Sequence, residues 1–158
     1  MIEIKAPNLE SVPDVFYKIF LAGSIEMGKA DDWQTRVINE LSTLKVDILN
    51  PRRTDWDSSW EQKITNPQFL EQVTWELNAL TAADIIIMYL QPGTISPISL
   101  LELGLHARGG KLLVCCPEGF HRKGNVDIVC ERYSIPVYES LDELLDQVKR
   151  SLQWKYHD

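Results

Sequence analysis

The stretch that most restricts what this chain can fold into is Ala83–Leu90, ADIIIMYL. Ile85, Ile86, Ile87 and Met88 follow one another with no polar alternation. A strand built from them has no face to give to water, so it belongs at the centre of a sheet, buried on both sides. Such a strand needs helices packed above and below it, and that is the α/β arrangement.

The remainder of the chain supplies the alternation. Lys18–Ala22 (KIFLA) reads as the first strand, followed by a helix capped by Asp31 or Asp32 and running to about Leu44. Trp33, Val37, Ile38 and Leu41 line one face of that helix. Val46–Asn50 (VDILN) is a second strand, stopped by Pro51, and Asn66-Pro67 is a cap and first-turn proline for a helix to about Ala82. After the central strand, Ser96-Pro97 opens a helix to about Ala107, and Lys111–Cys116 is a fourth strand. Asn125–Tyr133 is a short helix, Ile135–Glu139 a fifth strand and Leu141–Trp154 a closing helix. This order predicts a doubly wound, five-stranded parallel sheet, flavodoxin-like with strand order 2-1-3-4-5. Residues 1–158 read as a single domain with its core at about 18–150, and residues 1–17 fall outside the pattern.

Ligands of such sheets bind beyond the carboxyl ends of the strands, which singles out Gly23–Gly28, Pro51–Trp56, Gln91–Ser99 and Pro117–Asn125. A net charge of −7 argues against a nucleic-acid-binding surface but leaves room for a small anionic ligand. Cys115, Cys116 and Cys130 are odd in number and two are adjacent, so they form neither a disulfide framework nor a metal-ligand spacing. With no signal-peptide pattern and no run of membrane-spanning length, the expectation is a cytoplasmic protein that meets no membrane.

Gly23–Ala30 reads G-x-x-x-x-G-K-A, one residue from a phosphate loop. Ala30 lacks the magnesium-binding hydroxyl, Glu26 sets a carboxylate inside the loop, and the helix caps come late, at Asp31 and Asp32. The central strand also runs into Gln91-Pro92 rather than a magnesium-binding aspartate. A triphosphate site is rejected on these grounds. What remains is a turn in which Gly23 allows close approach and Ser24 offers a hydroxyl and an N–H, either to a ligand or simply to the turn itself.

Gln91–Gly110 is the segment richest in chemistry. Glu102 lies about one and a half turns into an otherwise apolar helix carrying Ile98, Leu100, Leu101, Leu103 and Leu105. A capping box from Ser99 to Glu102 is the structural explanation, and a helix start at Ser96-Pro97 would remove it. The helix dipole favours a carboxylate there in either case.

These residues resemble the nucleoside 2-deoxyribosyltransferases and related nucleotide N-glycosidases, over roughly Lys18 to Leu145. The resemblance rests on IFLAGSI, WELNALTAADIII and SPISLLELGLHA, with NPRR…W pointing to the deoxyribosyltransferase-like subgroup. It implies that Glu102, in the E-L-G triplet, is the nucleophile that attacks C1′ of the sugar. A carboxylate there stabilises an oxocarbenium-like transition state and can form a covalent glycosyl-enzyme. It implies that Glu76, where the family more often has aspartate, assists the departing base; the competing role is a solvated residue on an amphipathic helix. Two carboxyls in one pocket would push their titrations apart.

The resemblance further implies substrate contacts from Phe20, Gly23, Ser24, Ser96, Ser99 and Asn125, with Arg52 or Arg53 as a cation donor. Ser96 is the residue of relatives that act on 5′-monophosphates, whereas transferases of free nucleosides carry aspartate there. Glu26 stands where those monophosphate hydrolases have arginine. Arg122 and Asn125 lie in a segment, Glu118–Asp127, that closes the site of a neighbouring subunit in the family, so a homodimer or larger homo-oligomer is expected. His121 and His106 show no partner spacing for a metal or a triad, and His106 falls near a helix C-terminus, where a cation is favoured. No metal or organic cofactor is implied. The reading is thus cleavage or transfer at the N-glycosidic bond of a nucleoside or nucleotide. An NAD- or ADP-ribose-type glycohydrolase and a non-catalytic nucleotide-binding module are the alternatives.

Overall fold

A computed structural model describes residues 1–9, 17–26 and 29–155. Among them the elements run β1 (Ile2–Ile4), β2 (Tyr17–Gly23), α1 (Trp33–Glu40), β3 (Val46–Leu49), α2 (Pro67–Ala82), β4 (Ile85–Tyr89), α3 (Pro97–His106), β5 (Leu112–Cys115), α4 (Lys123–Arg132), β6 (Val137–Tyr138) and α5 (Leu141–Lys155). The strands form one sheet in the order β1-β3-β2-β4-β5-β6, with every neighbouring pair parallel. Without β1 this is the expected 2-1-3-4-5, and the fold is flavodoxin-like and doubly wound.

The sheet has six strands rather than five. β1 is three residues long, too short to show a period, and it pairs with β3 from Ile2↔Asp47 to Ile4↔Leu49. Asn50 fastens it: its N–H donates to the Ile4 carbonyl at 2.9 Å and its Nδ2 to Glu3 Oε1 at 2.8 Å.

Alternation along the strands divides the core into two layers. Ile19 and Leu21 of β2, with Ile87 of β4, face Trp33 and Val37 of α1, Leu41 just past its end, and Leu144 and Val148 of α5. Phe20, Ala22, Ile86 and Met88 point the other way, toward Trp75 and Ala79 of α2, Leu103 of α3, and Val126 and Cys130 of α4. Ile86, Ile87 and Met88 have no exposed surface, so the central strand is buried on both faces as its composition requires.

Element ends follow local chemistry. Asn66 Oδ1 accepts the Phe69 N–H at 2.9 Å, and Pro67 occupies the first turn, which sets the start of α2. α1 stops at Glu40, short of the expected Leu44, where the Ser42 hydroxyl donates to the Asn39 carbonyl at 2.8 Å and closes the helix end. β6 is shorter than Ile135–Glu139 because Pro136 has no N–H for the ladder; its carbonyl still accepts from Val114 at 3.0 Å.

Candidate active site

The strand order reverses between β2 and β4, and their carboxyl ends hold the densest polar network. Gly23 lies at φ +128°, and a Cβ there would sit 2.1 Å from the Tyr89 carbonyl oxygen. Only glycine lets the two strand ends meet so closely. The Ser24 N–H then donates to that carbonyl at 2.9 Å. From α1, Trp33 Nε1 donates to the Ser24 carbonyl at 3.0 Å and its ring stands edge-on to Tyr89 at 5.6 Å.

Three buried hydroxyls stitch this turn to the loop after β4. Ser24 Oγ lies 2.9 Å from Thr94 Oγ1 and 2.7 Å from Ser96 Oγ, and those two are 2.8 Å apart. Thr94 Oγ1 also contacts the Gln91 carbonyl at 2.8 Å, while Ser24 Oγ accepts the Gln91 N–H at 2.9 Å. Each hydroxyl carries one proton, so three protons serve four contacts and one oxygen pair always lacks a hydrogen.

α3 begins just beyond. Ser96 is its N-cap residue, yet its backbone is left-handed at φ 48°, ψ 52° and its hydroxyl makes no cap bond, being held in the network instead. Glu26, also left-handed at φ 48°, brings its carboxylate to this point. Its Oε1 accepts the N–H of Ser96 at 2.7 Å and of Ile95 at 3.1 Å. The N-cap is Ser96, three residues ahead of the Ser99 of a Ser99–Glu102 capping box, so Glu102 has no capping role.

Glu102 is 9% exposed, and its carboxyl accepts no hydrogen bond among the described residues. Burial, reinforced by the charge of Glu76, pushes its titration up to about 8. Glu76, on α2, is pushed up as well by burial, against the pull of a hydrogen bond from Gln72. The half-buried Glu76 carboxyl is thus close enough for its charge to be felt at Glu102.

A chain of donors reaches Glu76 from the β3–α2 loop. Arg53 offers only donors, so the Gln72 carbonyl faces it at 3.1 Å and the Gln72 amide nitrogen must turn to Glu76 Oε1 at 3.0 Å. Arg53 is itself held by two 2.9 Å bonds to Asp55, and its guanidinium lies 5.4 Å from the Trp60 ring centroid. The bond to Arg53 holds the Asp55 carboxyl down to about 2.

Of the other residues singled out from the sequence, Ser24 and Phe20 are wholly buried and Ser96 and Ser99 nearly so. Phe20 packs against Trp75 at 6.3 Å between ring centroids. Arg52 turns toward the start of α1, donating to the carbonyls of Asp31 at 2.9 Å and Ala30 at 3.0 Å and to Gln34 Oε1 at 3.2 Å. Asn125, Arg122 and His121 are exposed at the start of α4. His106 is pushed down by burial and by Lys111, so its neutral form is favoured rather than the cation expected at a helix end. Gly28 lies outside the described residues. The three cysteines are buried, with thiols pushed by burial to about 12 (Cys115) and about 11 (Cys116 and Cys130), which leaves them inert.

Thr94 and Gln72 were not anticipated. Gln72 carried a signal, four residues before Glu76 on the same helix. Thr94 carried none, because its partners are set by the meeting of two distant loops. A groove along α1 lined by Asp32, Arg36 and Glu40, and another beside α2 lined by Pro67, Leu70 and Trp75, include neither carboxyl of the pair. No helix among the described residues is long and apolar enough to cross a membrane.

Comparison with known proteins agrees with this architecture. The structure is similar to that of a conserved protein from Enterococcus faecalis V583, with a TM-score of 0.63 at 15% identity, over 87% of this chain and 99% of that one. At that identity the likeness shows the fold alone. No curated protein matches the sequence. The family model described as "Nucleoside 2-deoxyribosyltransferase like" matches residues 16–120, which contain Gly23, Glu76 and Glu102. The chain belongs to the nucleoside 2-deoxyribosyltransferase-like family.

Proposed function

We propose that this protein breaks the N-glycosidic bond of a nucleoside or nucleoside 5′-monophosphate and passes the sugar to water or to a second base. The observation that carries the reading is a buried Glu102 carboxyl without a hydrogen bond, its titration raised by the charge of a second, half-buried carboxyl, Glu76 on α2.

Such a pair holds one proton between its members near neutral pH. In the empty site Glu102 holds it. A sugar seated over Glu102 brings developing positive charge at C1′, which favours the ionised carboxylate, and the proton moves to Glu76. Glu102 then attacks C1′; the C1′–N bond breaks with its electrons passing to the base, which takes the proton from Glu76. Water or a second base attacks C1′ in the return step, gives its proton to Glu76 and frees Glu102. The end of β2 with Gly23 and Ser24, and the start of α3 with Ser96 and Ser99, frame the sugar. No metal or organic cofactor enters these steps.

A second copy of the chain completes the assembly. α3 exposes Ile98, Leu101 and Leu105, and its one carboxylate, Glu102, points inward, so its outer face bears no acidic or basic group apart from the half-buried His106 at its end. An acidic chain pairs with itself most readily through a neutral apolar face.

The test is base release from a panel of nucleosides, 5′-monophosphates and NAD, with Glu102→Ala beside the native protein. Release only by the native protein supports the reading. Equal release by both removes Glu102 from the mechanism, and tight binding without release removes the activity.

A further inference from the structure

We propose that Glu26 is a specificity-determining residue, which fills from within the chain the anion position at the start of α3 and so excludes substrates phosphorylated at the 5′ carbon. The inference rests on the glycosidic reading of Glu102 and concerns the other end of the same sugar.

Backbone N–H groups at the start of a helix attract anions because they lack intrahelical acceptors and carry the positive end of the dipole. Here the N–H groups of Ile95 and Ser96 are already taken, both by Glu26 Oε1, at 3.1 and 2.7 Å. Both ends of this contact adopt left-handed backbone without glycine, Glu26 and Ser96 each at φ 48°, a conformation that persists only where its surroundings impose it. The Ser96 hydroxyl is turned into the buried Ser24–Thr94 network, so it does not present itself to a phosphate. The hydrogen bonds of Arg52 toward Asp31, Gln34 and Ala30, and of Arg53 toward Asp55 and Gln72, aim those two guanidinium groups at protein acceptors.

A separate observation on the same helix points to a ligand near this corner. Glu102, six residues along α3, is nine-tenths buried with an unpartnered carboxyl. Six residues of helix span about 9 Å, comparable to the reach from a carboxylate below C1′ to a substituent on C5′. With Glu76 on the side of the base, the sugar's other end lies toward the helix start. A free 5′-hydroxyl there donates to the second oxygen of Glu26; a phosphate meets a carboxylate that already holds the Ile95 and Ser96 N–H groups.

The experiment is calorimetric binding of the four common 2′-deoxynucleosides and their 5′-monophosphates to the native protein and to Glu26→Gln, with base release followed in parallel. Glu26→Gln keeps an acceptor for the two N–H groups, and thermal unfolding verifies that it folds. The expected result is that the native protein binds at least one nucleoside tenfold or more tighter than its monophosphate, and that Glu26→Gln reduces this ratio at least tenfold. Preference of the native protein for monophosphates, an unchanged ratio in Glu26→Gln, or binding of neither class overturns the proposal. Selective nucleoside binding without base release leaves it standing and overturns the glycosidic activity instead. Turnover of monophosphates ahead of nucleosides does the reverse.

Discussion

Replacing Glu102 by glutamine should stabilise the protein, and by an amount that grows with pH. The carboxyl titrates at about 8 in the folded chain against a reference of 4.5. Between those values the folded state binds more protons than the unfolded state, so stability falls as pH rises through the interval. Each pH unit within it costs about 1.4 kcal/mol. The native protein thus loses roughly 3 kcal/mol from this group by pH 7, and on the order of 5 kcal/mol once the pH is well above 8. Glutamine has nearly the same shape and no proton to lose, so Glu102→Gln escapes the whole term.

Urea unfolding of both proteins at about pH 5, 7 and 8.5 measures this, because the difference between them cancels every other titrating group. The Glu102→Gln advantage should be smallest at the lowest pH and widen by a few kcal/mol at the highest. A difference that stays flat across the series would refute the desolvated carboxyl, and with it the argument that Glu102 is held ready for a ligand.

Three further outcomes are expected. Gly23→Ala places a methyl group 2.1 Å from the Tyr89 carbonyl oxygen at φ +128°, so it should cost roughly 4 kcal/mol or more, read as a lowered unfolding midpoint. Gln72→Leu removes the donor to Glu76, so the Glu76 titration rises, and the pH profile of kcat/KM for base release should move upward by about one unit. Leu101→Glu sets a charge on the apolar face of α3, and light scattering should then report a mass near 18.1 kDa, that of one chain, where the native protein reports a multiple.

The fold was readable wherever local chemistry decides it. Ala83–Leu90 required a central strand, and Asn66-Pro67 and Ser96-Pro97 set two helix starts to the residue. β1 was not readable, because its three residues have no period of their own and are held by Asn50, forty-seven positions from Glu3. Much of the site belongs to the same class. The contacts of Glu26 with Ile95 and Ser96 span 69 and 70 positions, and those of Ser24 with Thr94 and Ser96 span 70 and 72. Glu102 stood out because a carboxylate on an apolar helix conflicts with its neighbours. Glu26 conflicted with nothing local, so it registered only as an obstacle to a triphosphate.

Several unfavourable features of this structure gather in one place. Glu26 and Ser96 are left-handed without being glycine. Three hydroxyls share four contacts with one proton too few. A buried carboxyl without a hydrogen bond, Glu102, feels the charge of the half-buried Glu76. Each costs on the order of 1–3 kcal/mol or more, in a fold whose whole stability is about 5–15 kcal/mol. All but Glu76 lie on the loop after β2, the loop after β4, or the helix that the second of these begins, and Glu76 is tied to Glu102 by charge. Elsewhere such features are scattered: Ser134 is left-handed at φ 55°, and Gln34 Nε2, Asp47 Oδ1 and Trp56 Nε1 are buried without a hydrogen bond among the described residues. Where several such costs gather around one buried carboxyl, that carboxyl is the part a stability argument alone does not explain.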